Sequence, residues 1–496
     1  MKKFFSKENF TALGVAAVSL YINLPATLNG FFAFTYDQGR DLLQVAGMVY
    51  GGKLTLIGPT TGLPGIFYGP WWYYFLAPIM FIAKGDPQII ADFFVFFGAL
   101  TIMAAFLLIK KVTNNFFLAA ALSLTAVISN HWMFAPTIIW NTSMVPILLI
   151  IFLFVLQKII DTKRLSYFFL IGILMFLILD FELPFGLILI LSFIVWIPFQ
   201  GKIFGVRGIV LTVIGALTVL APRVFFDLRH KFLMSHAVIN YTLHPKAYHD
   251  VVPVYLKFIQ MLDLFWGIFA QRFAKGSKPL ATAILLVLVF MISILIKDKK
   301  TRQKIIGDNL LKFLATVVIV GIISFSLYPD VVWDYYLIGF PLIFLLLMAK
   351  IFYYTLKNRS LSFITKVLLI LLVVINFNKN LVSPFKISWQ GDGATYRNQK
   401  RVMDDLKSSL KGDYSIYFYT PARFDYPFDY LVSWYARKGL IEAPKENQER
   451  MFLVIRDDKS HSYIWFGWYG DKTQNKSKLL EKRRYQGDII VEKHLR

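Results

Sequence analysis

YDQGRDLLQVAGMVYGGKLTLIGPTTGLPGIFYGPWWYYFLAP, residues 36–78, stands between two long apolar runs, and the fold turns on how it is read. Its last part, continuing from Tyr68 to Ala83, is apolar enough to pass for a membrane span. Counting it would put Lys110/Lys111 and every later basic loop outside, against the tendency of short Lys- and Arg-rich loops to stay cytoplasmic. It is therefore read as an interfacial helix, with Trp71, Trp72, Tyr73 and Tyr74 at headgroup level. The first part reads as the start of a helix, which puts Asp37 and Asp41 four apart on one face with Arg40 beside them. An acid a few residues beyond a span is expensive unless it works or is paired. From the residues alone Asp37 is either a capping acid paired with Arg40 or a functional carboxylate. Gly51-Gly52-Lys53 reads as a turn, and Pro59, Gly62, Pro64, Gly65, Gly69 and Pro70 predict irregular backbone over the membrane.

Working outward, apolar stretches recur with the length that crosses a bilayer. They cover 10–32, 88–109, 114–130, 137–157, 165–181, 184–199, 208–226, 279–296, 311–328, 335–353 and 361–377. The chain is 496 residues long, 57% hydrophobic and only 17% charged, well below the quarter usual in soluble domains. The apolar run Phe10 to Ala33 is longer than a signal-peptide core and lacks an A-x-A site, so it is kept as the first span. Residues 165–199 are too long for one helix, and Asp180, Glu182 and Pro184 break them into a hairpin with acids at an external tip.

The net charge of +23 belongs to topology rather than to nucleic acid. The first 378 residues hold 31 basic and 15 acidic residues, the rest 22 and 15. Lys2/Lys3/Lys7, Lys110/Lys111, Lys158/Lys163/Arg164, Lys202/Arg207, Lys297 to Lys304 and Lys350 to Lys366 fall on one face. The short loops 131–136, 182–183 and 329–334 on the other face carry no Lys or Arg. The basic face is assigned to the cytoplasm, so the amino end is inside and the carboxyl tail outside. From about 378 the chain turns polar and Tyr-rich, with alternating stretches at Tyr414–Tyr419 and Met451–Ile455. This predicts an external α+β domain over 378–496, after a membrane domain over 1–377 whose first external loop is about 33–87. There is no cysteine, no internal repeat, no G-x-x-x-x-G-K-[ST] and no H-E-x-x-H.

The quoted first loop, its Gly-Asp-Pro and the following span ending in Lys-Lys resemble the GT-C glycosyltransferases. The likeness is to the bacterial branch related to protein O-mannosyltransferases and lipid A aminoarabinose transferases. Trp140-Asn141 with Pro146 and Phe225-Phe-Asp-Leu-Arg-His-Lys231 fit the same branch, and Asp334-Tyr-Tyr-Leu with Pro341 matches more weakly. The resemblance spans residues 30–350 and leaves the tail unmatched. It implies a polytopic α-helical membrane protein of about eleven transmembrane helices of GT-C type, with a small extracytoplasmic α+β domain. It further implies transfer of a sugar from a polyprenyl-phosphate donor to an external glycan, lipid or protein acceptor.

In that family an acid early in the first external loop is the catalytic base, which maps onto Asp37, with Asp41 and Arg40 shaping its field. The spent phosphate needs cations, and Arg40, Lys53, Arg229, His230 and Lys231 are the external candidates. Tyr68, Asn141 and Glu182 complete the candidate substrate-binding set. Two departures stand out: Asn141 occupies the place of a second acid, and Tyr68 that of a basic residue. They argue against a metal held by paired acids, so no metal ligand is assigned. A divalent cation on Asp41, Asp180 or Glu182 is the one cofactor left open. His131 is read as a surface residue. The rival readings are a transporter or flippase of lipid-linked sugars, expected to carry charges along a central path, and a non-catalytic envelope-assembly protein.

Overall fold

The structure, a computed structural model, describes residues 7–129, 138–203, 205–243, 252–377, 384, 390–420, 425–456, 462–474 and 476–496. Lys2, Lys3, His131 and the 131–136 loop lie outside the described residues, as does the side chain of Lys202. The chain begins with α1 (Lys7–Leu28), followed by two first-loop helices, α2 (Tyr36–Gly51) and α3 (Trp71–Ile82). The bundle continues with α4 (Pro87–Thr113), α5 (Phe116–Ile128), α6 (Val145–Thr162), α7 (Leu165–Phe181), α8 (Leu183–Trp196) and α9 (Val206–Arg229). Next come α10 (Leu233–Leu243), α11 (Val254–Phe273), α12 (Lys278–Lys297), α13 (Lys299–Ile306), α14 (Asn309–Leu327), α15 (Phe340–Leu356) and α16 (Arg359–Asn376). Among the described residues nine helices are long and apolar enough to cross a membrane, and the shorter α5 and α7 fall on the two remaining expected spans.

Sequence-local capping sets the helix ends. Asp86 accepts from Gln88 N at 2.9 Å to start α4, with Pro87 in the first turn, and Asn114 ends it in the left-handed region. At the basic end of the bundle Asp308 caps α14 through Leu311 N at 3.1 Å. The same carboxylate holds α15 through Lys350 Nζ at 2.6 Å and Tyr354 OH at 2.9 Å.

Two expectations change in detail, those for the aromatics of α3 and for the acids at the hairpin tip. With 12 residues α3 reaches about 18 Å, too short to cross. Its aromatics do not all sit at headgroup level: Trp72 and Tyr73 are buried inside the protein, because their polar tips serve internal hydrogen bonds. The 165–199 hairpin forms and turns at Glu182, but Asp180 and Glu182 are fully buried, since the first loop lies over the turn. The segment at Gly69 is that cover; a Cβ there would fall 1.5 Å from Asp180 Oδ2.

The helix α11 carries Lys257, Asp263 and Arg272 among its apolar residues, so hydropathy does not mark it as a span. Lys257 Nζ donates to Asp330 O at 2.9 Å, beyond the carboxyl end of α14. At its other end Phe273 O accepts from Asn376 Nδ2 of α16 at 3.0 Å. Chain order puts both contacts at the end of the bundle opposite the basic loops. α11 therefore starts and finishes on one side, and the alternation of loops is unchanged by it.

The tail comprises α17 (Tyr396–Leu406), β1 (Ser415–Tyr419), α18 (Tyr426–Arg437), β2 (Arg450–Arg456), α19 (Ser462–Thr473), β3 (Lys478–Tyr485) and β4 (Ile489–Leu495). The sheet order is β1-β2-β4-β3, with β1 and β2 parallel and the other pairs antiparallel. The run Met451–Ile455 is buried on both faces: Phe452 and Val454 join the main core, and Met451, Leu453 and Ile455 pack under α19. The tail is stitched to the first loop through its backbone. Phe34 N donates to Ala394 O at 2.8 Å, Tyr396 N to Phe32 O at 3.0 Å and Arg397 N to Gly30 O at 2.9 Å. Gly39 of α2 meets the start of α18 so closely that a Cβ would lie 2.4 Å from Pro427 N.

Candidate active site

The site is built around the first turn of α2. Thr35 precedes the helix in an extended conformation, and Gln38 Oε1 accepts from Thr35 N at 2.9 Å and Thr35 Oγ1 at 2.6 Å. This reciprocal cap fixes the amino end of the helix. Asp37 and Asp41 then lie one turn apart, and Arg40 links them: Nη1 reaches Asp37 Oδ1 at 3.1 Å and Nη2 reaches Asp41 Oδ1 at 2.8 Å. Asp41 is wholly buried and also accepts from Trp72 Nε1 at 2.8 Å and from Tyr73 OH at 3.4 Å. Burial pushes its carboxyl up to about 6, against the pull of Arg40 and Trp72. The Asp37 side chain keeps 38% of its surface exposed.

That exposed surface opens into a cavity of about 450 Å³. One wall is the first loop, with Asp37, Arg40, Pro59 and Thr60. The inner wall brings Tyr68, Trp140, Asn141, Glu182 and Tyr335 from four separate segments. The tail closes the third side with Gly393, Ala394, Gln399, Thr420, Pro427 and Arg456. Asn141 opens a 3-10 turn ahead of α6, and its Nδ2 donates to Phe181 O at 2.6 Å, holding the α7–α8 turn. Glu182 follows directly. Both its carboxyl oxygens are buried and, among the described residues, have no hydrogen-bond partner, and burial holds its pKa well above the ordinary carboxylate range. In its protonated form, which burial favours, it can donate one hydrogen bond. Burial likewise raises the Tyr68 phenol, with Glu182 adding to the effect, so it too faces the cavity as a neutral donor.

Asp37, Arg40, Tyr68, Asn141 and Glu182 thus share one cavity, and Asp41 lies directly behind it. Lys53, Arg229, His230 and Lys231 are exposed and do not line it. In the Phe225–Lys231 stretch Asp227 accepts from Met234 N at 2.7 Å and so caps α10, while His230 stacks on Phe226 with centroids 4.0 Å apart. Asp180 makes a buried ion pair with Arg223 beneath Gly69. Among the described residues no three His, Asp or Glu side chains converge as a metal-ligand set. Sequence reading missed Arg456, Gln399 and Thr420. The one local signal is that Arg456 ends the apolar run Met451–Ile455, as a residue at the carboxyl end of a buried strand would.

No protein-family model and no curated protein sequence matches the chain. Among solved structures it is similar to ArnT from Cupriavidus metallidurans in the apo state. That likeness has a TM-score of 0.56 and 12% identity, over 97% of this chain and 96% of that one. It is also similar to an oligosaccharyltransferase of Archaeoglobus fulgidus in complex with zinc and sulfate, with a TM-score of 0.46 and 12% identity, over 88% of this chain and 58% of that one. The likeness to ArnT is one of fold: the chain shares its polytopic helical architecture.

Proposed function

We propose that the chain is a membrane glycosyltransferase that moves a sugar from a polyprenyl-phosphate donor to an acceptor on the extracytoplasmic side. The observation that carries this reading is the cavity in which Asp37, at the amino end of α2, meets Arg40, Tyr68, Asn141 and Glu182. Asp37 takes the proton of the acceptor hydroxyl as its oxygen bonds to the anomeric carbon. The bond from that carbon to the phosphate oxygen breaks in the same step, and the configuration inverts. Arg40 sits between Asp37 and Asp41, where it orients the base and offers positive charge to the departing phosphate. Glu182 and Tyr68 hold hydroxyl groups of the sugar. Lys53, Arg229, His230 and Lys231 lie outside the cavity, and in this reading they meet phosphate headgroups and the approaching donor lipid.

The test is release of polyprenyl phosphate from a panel of polyprenyl-phosphate sugars by the purified protein. Asp37→Asn is expected to lower release about a thousandfold while donor binding is retained. Full release by a folded Asp37→Asn protein removes the base assignment. No release from any donor, with the fold intact, favours a transporter or an assembly role.

A further inference from the structure

The tail side of the cavity differs in chemistry from the other two. Thr420 and Arg456 stand at the carboxyl ends of the parallel strands β1 and β2, with Arg456 ending its strand and Thr420 just past the other. That is the edge at which parallel α/β sheets present ligands, and here it opens into the cavity. Arg456 is half-buried and, among the described residues, makes no ion pair. Arg40, the other cation of the cavity, is already shared by Asp37 and Asp41.

Gln399 lines the same side and is 3% exposed. Its Nε2 donates to Phe34 O at 3.0 Å and Gly393 O at 2.9 Å, two carbonyls that fix which way the amide points. The Oε1 atom is left buried without a partner among the described residues. Arg456 shares the Gly393 neighbourhood, for a Cβ on Gly393 would lie 3.0 Å from Arg456 Nε. A cation unopposed by a described carboxylate thus stands near a buried acceptor with no donor. Together they match a group that is anionic on one side and carries a hydroxyl on the other.

We propose that this edge of the tail domain is the acceptor subsite, and that it selects acceptors bearing a phosphate or carboxylate next to a hydroxyl. The anionic group bonds to Arg456 and the hydroxyl donates to Gln399 Oε1, across the cavity from Asp37. The inference rests on the glycosyltransferase reading, since that reading supplies the acceptor. The same phosphate chemistry has two sources, the acceptor and the donor lipid, and they separate by probe.

Full-length protein in detergent is titrated with glucose 6-phosphate, glucose and undecaprenyl phosphate, following intrinsic tryptophan fluorescence and Tm. Wild type is expected to bind glucose 6-phosphate in preference to glucose. R456Q is expected to weaken glucose 6-phosphate about tenfold or more and to leave undecaprenyl phosphate unchanged, which also reports that the variant is folded. R456K recovers part of the loss, and K407Q, the same charge change at an exposed tail position, has no effect on either ligand. Equal binding of glucose 6-phosphate by R456Q and wild type overturns the proposal. So does its failure to bind wild type, or a loss in R456Q confined to undecaprenyl phosphate, which would move Arg456 to the donor. Release of polyprenyl phosphate from donors is measured separately, so the acceptor subsite can fail while the enzyme reading stands.

Discussion

The two ends of the helical bundle both bury acids, and they treat them differently. At the basic end Asp308 gives its carboxylate to Leu311 N, Lys350 and Tyr354, so α14 and α15 are tied by a group whose two oxygens both have partners. At the cavity end Glu182 is fully buried and, among the described residues, has no hydrogen-bond partner at either oxygen. Leaving a buried polar group unpaired is destabilising by about 1–3 kcal/mol, and a purely structural position has no reason to keep one. Asp41 lies between these cases: it is partnered like Asp308, but by Arg40, which also holds the candidate base. The contrast separates acids that hold the fold from an acid held ready for something else.

Removing each acid tests that contrast. Asp308→Asn leaves Lys350 buried beside a neutral partner and is expected to destabilise the protein by about 3 kcal/mol. A lowered Tm with unchanged transfer per folded molecule is the expected result; a selective loss of activity would make the basic end part of the site. Glu182→Gln keeps the size and a hydrogen-bond donor at a position where burial already disfavours the charged carboxylate. Its Tm should therefore hold while kcat falls by roughly tenfold. A drop in Tm with kcat unaffected would return Glu182 to the structural class.

The smallest effect concerns Asp41, whose carboxyl is pushed up to about 6 by burial. Above that value it is ionised and shares Arg40 with Asp37. As pH falls through 6 it takes a proton, leaves Arg40 to Asp37 alone and makes that base less ready, so the rate should drop on the acid side. In Asp41→Asn this limb near pH 6 should vanish, with a loss of about threefold at pH 7.5. An acid limb that persists unchanged in the variant would show that another group titrates there.

Much of the membrane architecture was legible along the chain. The lengths of the apolar runs and the alternation of Lys-rich and Lys-free loops carry the order of the spans, because insertion responds to local hydropathy and charge. Asp37, Asp41 and Arg40 were legible for the same reason: spacing along one helix places them on a common face. Breaks were legible too, as at Glu182 and Pro184, since proline cannot continue the hydrogen-bonded ladder. α11 was not, for its charged residues interrupt the hydropathy while its packing against α14 and α15 supplies the helix with a buried face.

The rest depends on segments distant in sequence. Nothing near Trp72 announces that its indole will bond Asp41, 31 residues earlier, rather than face headgroups. Nothing near Gln399 announces Phe34 O, 365 residues away. The sequence alone determined a multi-pass helical protein with an acid at the start of its first loop, because those features are set by neighbours along the chain. Only the tertiary structure decided that Asp180 and Glu182 are buried, that Lys53 and the Arg229–Lys231 run stand apart, and that the tail closes the cavity with Arg456. Docking of one backbone on another, residues 30–36 on 394–399, sets which side chains converge, and no local period or composition encodes that meeting.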